Sequence, residues 1–178
     1  TAQHDLWTGL HNQTYLEKML RRDAAQKITQ KRALVGINLS YLHSLTMVYG
    51  FRYTRELIKK VADTLREYCS EERLLFLMYE NQFVFYIKNY HDRGELVFFS
   101  RAIAQKLESL LTIERVGAGI GVVEIDEEHM SNTDQILKSL LIASEKAADN
   151  FDDFAVCFFD QEMEAEITRE EELKRELA

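Results

Sequence analysis

The stretch from Arg73 to Lys88 constrains this chain more than any other. Two apolar runs, Leu74 to Met78 and Phe83 to Ile87, flank a polar interruption at Glu80, Asn81 and Gln82. Both runs are rich in residues that suit a pleated surface, so the stretch predicts a β-hairpin. Neither run alternates apolar with polar, so both faces must be covered, and the hairpin is expected in the middle of a sheet, not at its edge. Its tip is where polar groups leave an apolar centre. Asn81, a residue type that tolerates the left-handed conformation, is expected to make the turn.

Elements on either side follow from their periods. Asp5-Leu-Trp-Thr-Gly-Leu-His-Asn12 is turn-like and delivers Asn12 as a helix N-cap, after which Tyr15, Leu16, Met19 and Leu20 recur at helical spacing. Residues 33 to 39 form a short apolar run that reads as a buried strand. Leu57, Ile58, Val61, Ala62 and Leu65 describe an amphipathic helix, preceded near Gly50 by a shorter one from Leu45 to Tyr49. Beyond the hairpin, Asp92 with Glu95 resembles a capping box and opens a helix through Leu110. Val116 to Ile125 reads as a strand. Its Gly117, Gly119 and Gly121 are not followed directly by a helix N-terminus, so a dinucleotide loop is rejected in favour of close packing on neighbours. Ser131 or Asn132 caps a helix through Leu141, and Phe154 to Phe159 is a last strand. The order contains β-α-β-β-α-β, a ferredoxin-like arrangement within one α/β (α+β) layered domain whose sheet has about five strands.

Composition excludes several functions. The chain of 178 residues carries a net charge of -8 and no Lys/Arg cluster, which argues against nucleic-acid polymers and direct membrane contact, since both depend on neutralising phosphate. No apolar run approaches about 20 residues, and no signal peptide is visible, so a cytoplasmic location is expected. Cys69 and Cys157 look like reduced core residues, with a disulfide left open. His4, His11, His43, His91 and His129 show no metal-ligand spacing.

Taken together, the motifs resemble the GGDEF domain, the module of bacterial diguanylate cyclases that condenses two GTP into cyclic di-GMP. Asp5 to Asn12 resembles the family's opening D-x-L-T-G-L-x-N, and Ile37-Asn-Leu-Ser40 occupies the strand of its first metal aspartate. Tyr49-Gly50 matches the Y-G that follows. Ala118-Gly-Ile-Gly121 is similar to its S-x-G strand, and Tyr79-Glu80-Asn81-Gln82-Phe83 stands where the signature G-G-D-E-F stands. The resemblance covers nearly the whole chain and implies a nucleotidyl-cyclase-like sheet with the hairpin at its centre, using Mg²⁺ with GTP.

The departures fall on the chemistry. The resemblance places the family's metal positions at Asn38, Asn81 and Gln82, whose amides carry no charge to offset Mg²⁺. Its two glycines, which let backbone approach the nucleotide, are Tyr79 and Glu80 here. Glu80 reads as a solvated turn residue in preference to a surviving ligand. The guanine-binding asparagine and aspartate fall on Thr46 and Arg55, and the lysine after the first strand on His43. Arg55 is a donor where guanine needs an acceptor. The product-feedback motif R-x-x-D aligns with Ser70 to Arg73 and is absent. Asp5 is expected to cap the opening turn, without a catalytic role.

No catalysis and no bound metal are therefore expected. Residues 1–160 are read as a degenerate GGDEF domain, and 161–178 as a charged helix with Glu170–Lys174 and Glu171–Arg175 pairs. Met163, Ile167, Leu173 and Leu177 would give that helix a narrow packing stripe. It resembles the connector toward an EAL domain, the phosphodiesterase that cleaves cyclic di-GMP. The expected partners are that EAL domain, a second copy of the chain and GTP, within a parent protein whose membrane anchoring is left open. The alternatives are a GTP-binding allosteric sensor without turnover, or a low-activity diguanylate cyclase.

Overall fold

The computed structural model describes residues 4–79, 81–126, 132–149 and 154–177. Among the described residues six helices and five strands follow one another as α1 Gln13–Ala25, β1 Arg32–Leu39, α2 Leu42–Tyr49, α3 Phe51–Arg66, β2 Arg73–Met78, β3 Gln82–Lys88, α4 Arg93–Leu111, β4 Ala118–Ile125, α5 Thr133–Ala148, β5 Val156–Phe158 and α6 Gln161–Leu177. The sheet order is β2-β3-β1-β4-β5, with every pairing antiparallel except β4 with β5. The first four strands make the ferredoxin-like core that the chain order predicts, and β5 extends it beside β4.

Side-chain alternation sorts the sheet into two cores. Val35, Ile37, Leu75, Leu77, Phe83, Phe85, Ile120 and Val122 face α3 and α4 with Leu57, Val61, Leu65, Phe99 and Ile103. On the other face Leu34, Phe76, Val84, Tyr86 and Val123 meet Leu16, Met19 and Leu20 of α1 and Ile136 and Leu140 of α5. Helices cover both faces, which is why neither hairpin run alternates.

The hairpin's position differs from expectation: β2 lies at the sheet edge, with β3 inside it. The opening stretch covers that edge. His11 bridges Phe76 in parallel, and the Leu77 amide donates to the His11 carbonyl at 2.9 Å. An edge strand this apolar is protected by main-chain pairing with a segment about 65 positions away, which strand composition cannot reveal. Among the described residues of the turn, Tyr79 is left-handed, at φ 54°, and Asn81 is not. Glu80 lies outside the described residues, as do Ser131 and His129.

The helix caps match the sequence. The side chains of Asn12, Asp92 and Asn132 accept from the amides of Tyr15, Glu95 and Gln135. The Glu95 carboxylate accepts from the His91 amide at 2.7 Å, one residue before the position a reciprocal capping box would use. Cys69 is exposed after the end of α3 and Cys157 half-buried, both as free thiols, so neither is a fully buried core residue. The ion pair found on the far half of α6 is Lys174–Glu171 at 3.5 Å, at i,i+3 spacing. Met163 and Ile167 are half-buried, whereas Leu173 and Leu177 stay exposed, so the stripe packs only along its first half.

Gly119 and Gly121 explain how closely α5 sits on the sheet. A Cβ on Gly121 would lie 2.4 Å from the Ser144 amide nitrogen, and one on Gly119 2.4 Å from that of Ala148. Backbone meets backbone there, as the packing reading of these glycines requires.

Candidate functional site

The amides of the signature end converge. Asn38 and Gln82 are opposed across β1 and β3, and the Asn81 side-chain amide donates to Asn38 Oδ1 at 3.0 Å and to the Leu39 carbonyl at 3.3 Å. Asn38 in turn donates to Glu145 Oε1 at 3.2 Å, and Gln82 to Ser144 Oγ at 3.5 Å. The close seat of α5 brings Ser144 and Glu145 within reach. This cluster is a hydrogen-bonded amide network with one carboxylate at its rim. The three amide nitrogens all donate within it, Asn38 Oδ1 accepts one of those bonds, and none of the three side chains brings the negative charge that a divalent cation on a triphosphate needs. The three family metal positions thus do not fit a Mg²⁺-triphosphate. Among the described residues no group of three or more His, Cys, Asp or Glu could hold a metal ion.

On the opposite face, sharing Asn81, is a cleft of about 620 Å³ between α2, α3, the opening stretch and the start of the signature turn. His43, Thr46 and Arg55 all line it, so the structure brings together the three residues on which the resemblance places nucleotide contacts. The Thr46 hydroxyl donates to the Leu42 carbonyl at 2.8 Å and lies 2.7 Å from the Thr54 hydroxyl, a local pairing that leaves it little to offer a base. The Arg55 guanidinium stands over the Trp7 ring, 4.9 Å from its centroid. Cation–π contact fixes a hydrogen-bond donor at this wall of the cleft.

Trp7, Met47 and Phe51 are lining residues that sequence reasoning did not select. The signal available was their size next to a turn and a helix start, but nothing local shows that they face one hollow. Asp5 lines the same cleft, and its carboxylate is occupied. Oδ2 accepts from the Trp7 amide at 3.1 Å, the Thr8 amide at 2.7 Å and the Thr8 hydroxyl at 2.8 Å, the turn-capping role expected of it. Ser70 and Arg73 pair through their main chains, and the Arg73 guanidinium lies 5.1 Å from the Phe99 ring centroid, so the arginine is packed against the core side. A second hollow, of about 680 Å³ at the β4–α5 edge, contains none of the signature residues.

Shifted pKa values lie away from the cleft. Burial pushes the Tyr86 phenol well above its usual range, with Arg32 and Asp23 bonded to it on either side. Burial likewise raises Tyr90, and its hydrogen bond to Glu124 adds to the effect. The Glu114 hydrogen bond raises Tyr53, and burial raises both Cys69 and Cys157.

A comparison with curated proteins finds no match to this chain. Solved structures with the same fold are plentiful. The GGDEF domain of TpbB, or YfiN, from Pseudomonas aeruginosa superposes with a TM-score of 0.77 at 15% identity, covering 93% of this chain and 99% of that one. The GGDEF domain of DgcB from Caulobacter crescentus, solved in complex with c-di-GMP, gives 0.66 at 14% identity over 89% of this chain and 93% of its own. The S helix-GGDEF-EAL portion of Vibrio cholerae LapD, bound to c-di-GMP, gives 0.74 at 17% identity, covering 98% of this chain and 43% of that one. Residues 2–150 match the family described as diguanylate cyclase, GGDEF domain. The five-stranded sheet and the helices packed on it are therefore a fold shared with these domains, and this chain belongs to the GGDEF domain family.

Proposed function

We propose that this GGDEF domain has lost cyclase chemistry and acts as a regulatory and interaction module in cyclic di-GMP signalling, controlling an adjoining EAL phosphodiesterase in the cytoplasm. The observation that carries the reading is the 3.0 Å hydrogen bond from Asn81 to Asn38. Amides bonded to one another supply neither the charge that offsets Mg²⁺ nor a base near a ribose hydroxyl. Arg55 supports it from the other side of Asn81, because a guanidinium in the guanine subsite repels the donors it should receive. Residues 161–178 act as the connector. The LapD alignment takes in 98% of the chain and so reaches along α6, in a protein whose GGDEF domain is followed by an EAL domain.

The test is direct. Purified protein incubated with GTP and Mg²⁺ is expected to yield no cyclic di-GMP by mass spectrometry, and detectable product would overturn the loss of chemistry. The surviving cleft, large enough for a nucleotide, favours one second reading, a GTP sensor without turnover. Titration calorimetry of GTP into protein at about 100 μM separates the two. Saturable micromolar heat would establish the sensor, and no heat excludes affinities tighter than roughly millimolar.

A further inference from the structure

Arg32, at the start of the central strand β1, is 1% exposed, and its charge is poorly met. Nη1 donates to the Tyr86 hydroxyl at 2.5 Å, while Nε and Nη2 find no hydrogen-bond partner among the described residues. Asp23 reaches the guanidinium only through that same hydroxyl, and its carboxylate is already paired with Lys88 at 3.4 Å. A buried cation in this state is costly unless an anion meets it. Nε and Nη2 share one edge of the planar group, and such an edge grips a carboxylate with two parallel hydrogen bonds. Here the whole edge is free.

A second group of this kind stands at the same level of the sheet. Thr133 opens α5, is 6% exposed, and its hydroxyl also lacks a partner among the described residues. Helix α5 runs antiparallel to β4, since Ala148 lies over Gly119 and Ser144 over Gly121. Four residues of helix and two of strand each advance by about 6 Å, so Ile136 comes over Ile125 and Thr133 just past it. Ile125 is the register partner of Arg32, and Arg32 shares a sheet face with Leu34, which packs with Ile136 and Leu140. The free edge and the free hydroxyl thus meet beneath the first turn of α5, where the amides of Thr133 and Asp134 have no acceptor within the helix.

The hollow of about 680 Å³ at the β4–α5 edge opens on this place, for Ile125, Asn132 and Ile136 line it, with Val123 and Phe159 beyond them. Glu124, Asp126 and Asp160 line it too, and Asp134 stands in the first turn of α5. These acids decide between anions. One negative charge balances Arg32, whereas the second charge of a phosphate would lie against four carboxylates. We propose that Arg32, Thr133 and the first turn of α5 form a binding site for a small monocarboxylic acid, whose carboxylate takes the Nε–Nη2 edge and whose apolar body lies in the hollow. Arg32 is not itself part of the lining, so the head group reaches it past Ile125 and Ile136. The site goes beyond the loss of cyclase chemistry and does not depend on it.

Proton–nitrogen correlation NMR of the whole chain gives the test, read at the Arg32 Nε–H and the Thr133 amide. Acetate, butyrate and hexanoate are titrated to about 50 mM at fixed ionic strength, beside phosphate and neutral hexanamide. Saturable shifts at both groups are expected with the acids alone, and affinity rises with chain length as more apolar surface enters the hollow. Arg32→Lys keeps the charge without the two-donor edge and weakens hexanoate about ten-fold at the Thr133 amide. Thr133→Val keeps the shape without the hydroxyl and weakens it several-fold at the Arg32 Nε–H. Free of ligand, that variant melts no lower than the parent chain, because a buried hydroxyl without a partner has gone. An Arg32 Nε–H that no acid shifts would leave the edge to water and overturn the proposal. Equal binding of phosphate or hexanamide, or an affinity for hexanoate unchanged in either variant, would overturn it as well.

Discussion

Tyr86 ties three charged groups together in the α1-side core. Its hydroxyl accepts from Arg32 at 2.5 Å and donates to Asp23 at 2.7 Å, and Lys88 lies 3.4 Å from the same carboxylate oxygen. Because burial raises the phenol's pKa, the folded chain keeps a proton that the unfolded chain releases above about pH 10. The unfolded state then binds fewer protons than the native one, so stability falls as pH rises through that range. Tyr86→Phe is expected to flatten that fall in urea denaturation. At pH 7 it costs about 1–3 kcal/mol, since Arg32 and Asp23 each lose a buried partner. Asn38 gives a second prediction at this scale. Asn38→Asp sets a carboxylate where the amide now donates to Glu145 at 3.2 Å. The variant should be about 1–2 kcal/mol less stable in chelator, and its melting temperature should rise with added Mg²⁺, unlike that of the parent chain.

At the scale of elements, α5 is the most tightly specified helix because backbone, not side chain, forms its seat. Gly121→Ala forces the helix off the strand, since a Cβ would approach the Ser144 nitrogen to 2.4 Å. A loss of about 1–3 kcal/mol is expected by chemical denaturation, together with loosening of the Gln82–Ser144 contact visible as a chemical-shift change. Elements of this kind were legible in the chain. The caps Asn12, Asp92 and Asn132 and the packing role of Gly119 and Gly121 follow from local spacing and stand as expected. What local spacing could not carry were the long-range facts. The edge position of β2 depends on His11, and the turn at Tyr79 depends on how β3 registers against β1. The grouping of His43, Thr46 and Arg55 was reachable because the family alignment places them, whereas Trp7 and Phe51 enter the cleft through tertiary packing alone.

For the whole molecule, the opening stretch is part of the sheet's protection, not an appendage. Deleting residues 4–11 would expose the β2 main chain at Leu77 and remove the His11 ring that stacks on Tyr15, their centroids 4.1 Å apart. Such a deletion is expected to raise light scattering on warming well below the unfolding transition of the intact chain, through edge-to-edge association. The two cores answer different demands. The α3–α4 side underlies the cleft, while the α1–α5 side fixes the amide network and, through Lys146 and Glu166, the exit of α6. A disturbance at the signature turn has a packed route to α6 by way of α5, whichever ligand or protein produces it.

Amides at Asn38 and Asn81 also decide what this end of the sheet can sense of its surroundings. Two carboxylates in hydrogen-bond reach repel until a cation arrives, so their geometry follows the ionic climate of the cell. Two amides attract at every magnesium level and every physiological pH, and the 3.0 Å contact closes without help. This end of the sheet is a clasp that holds without a counter-ion, so what opens it has to compete for the amide hydrogen bond itself.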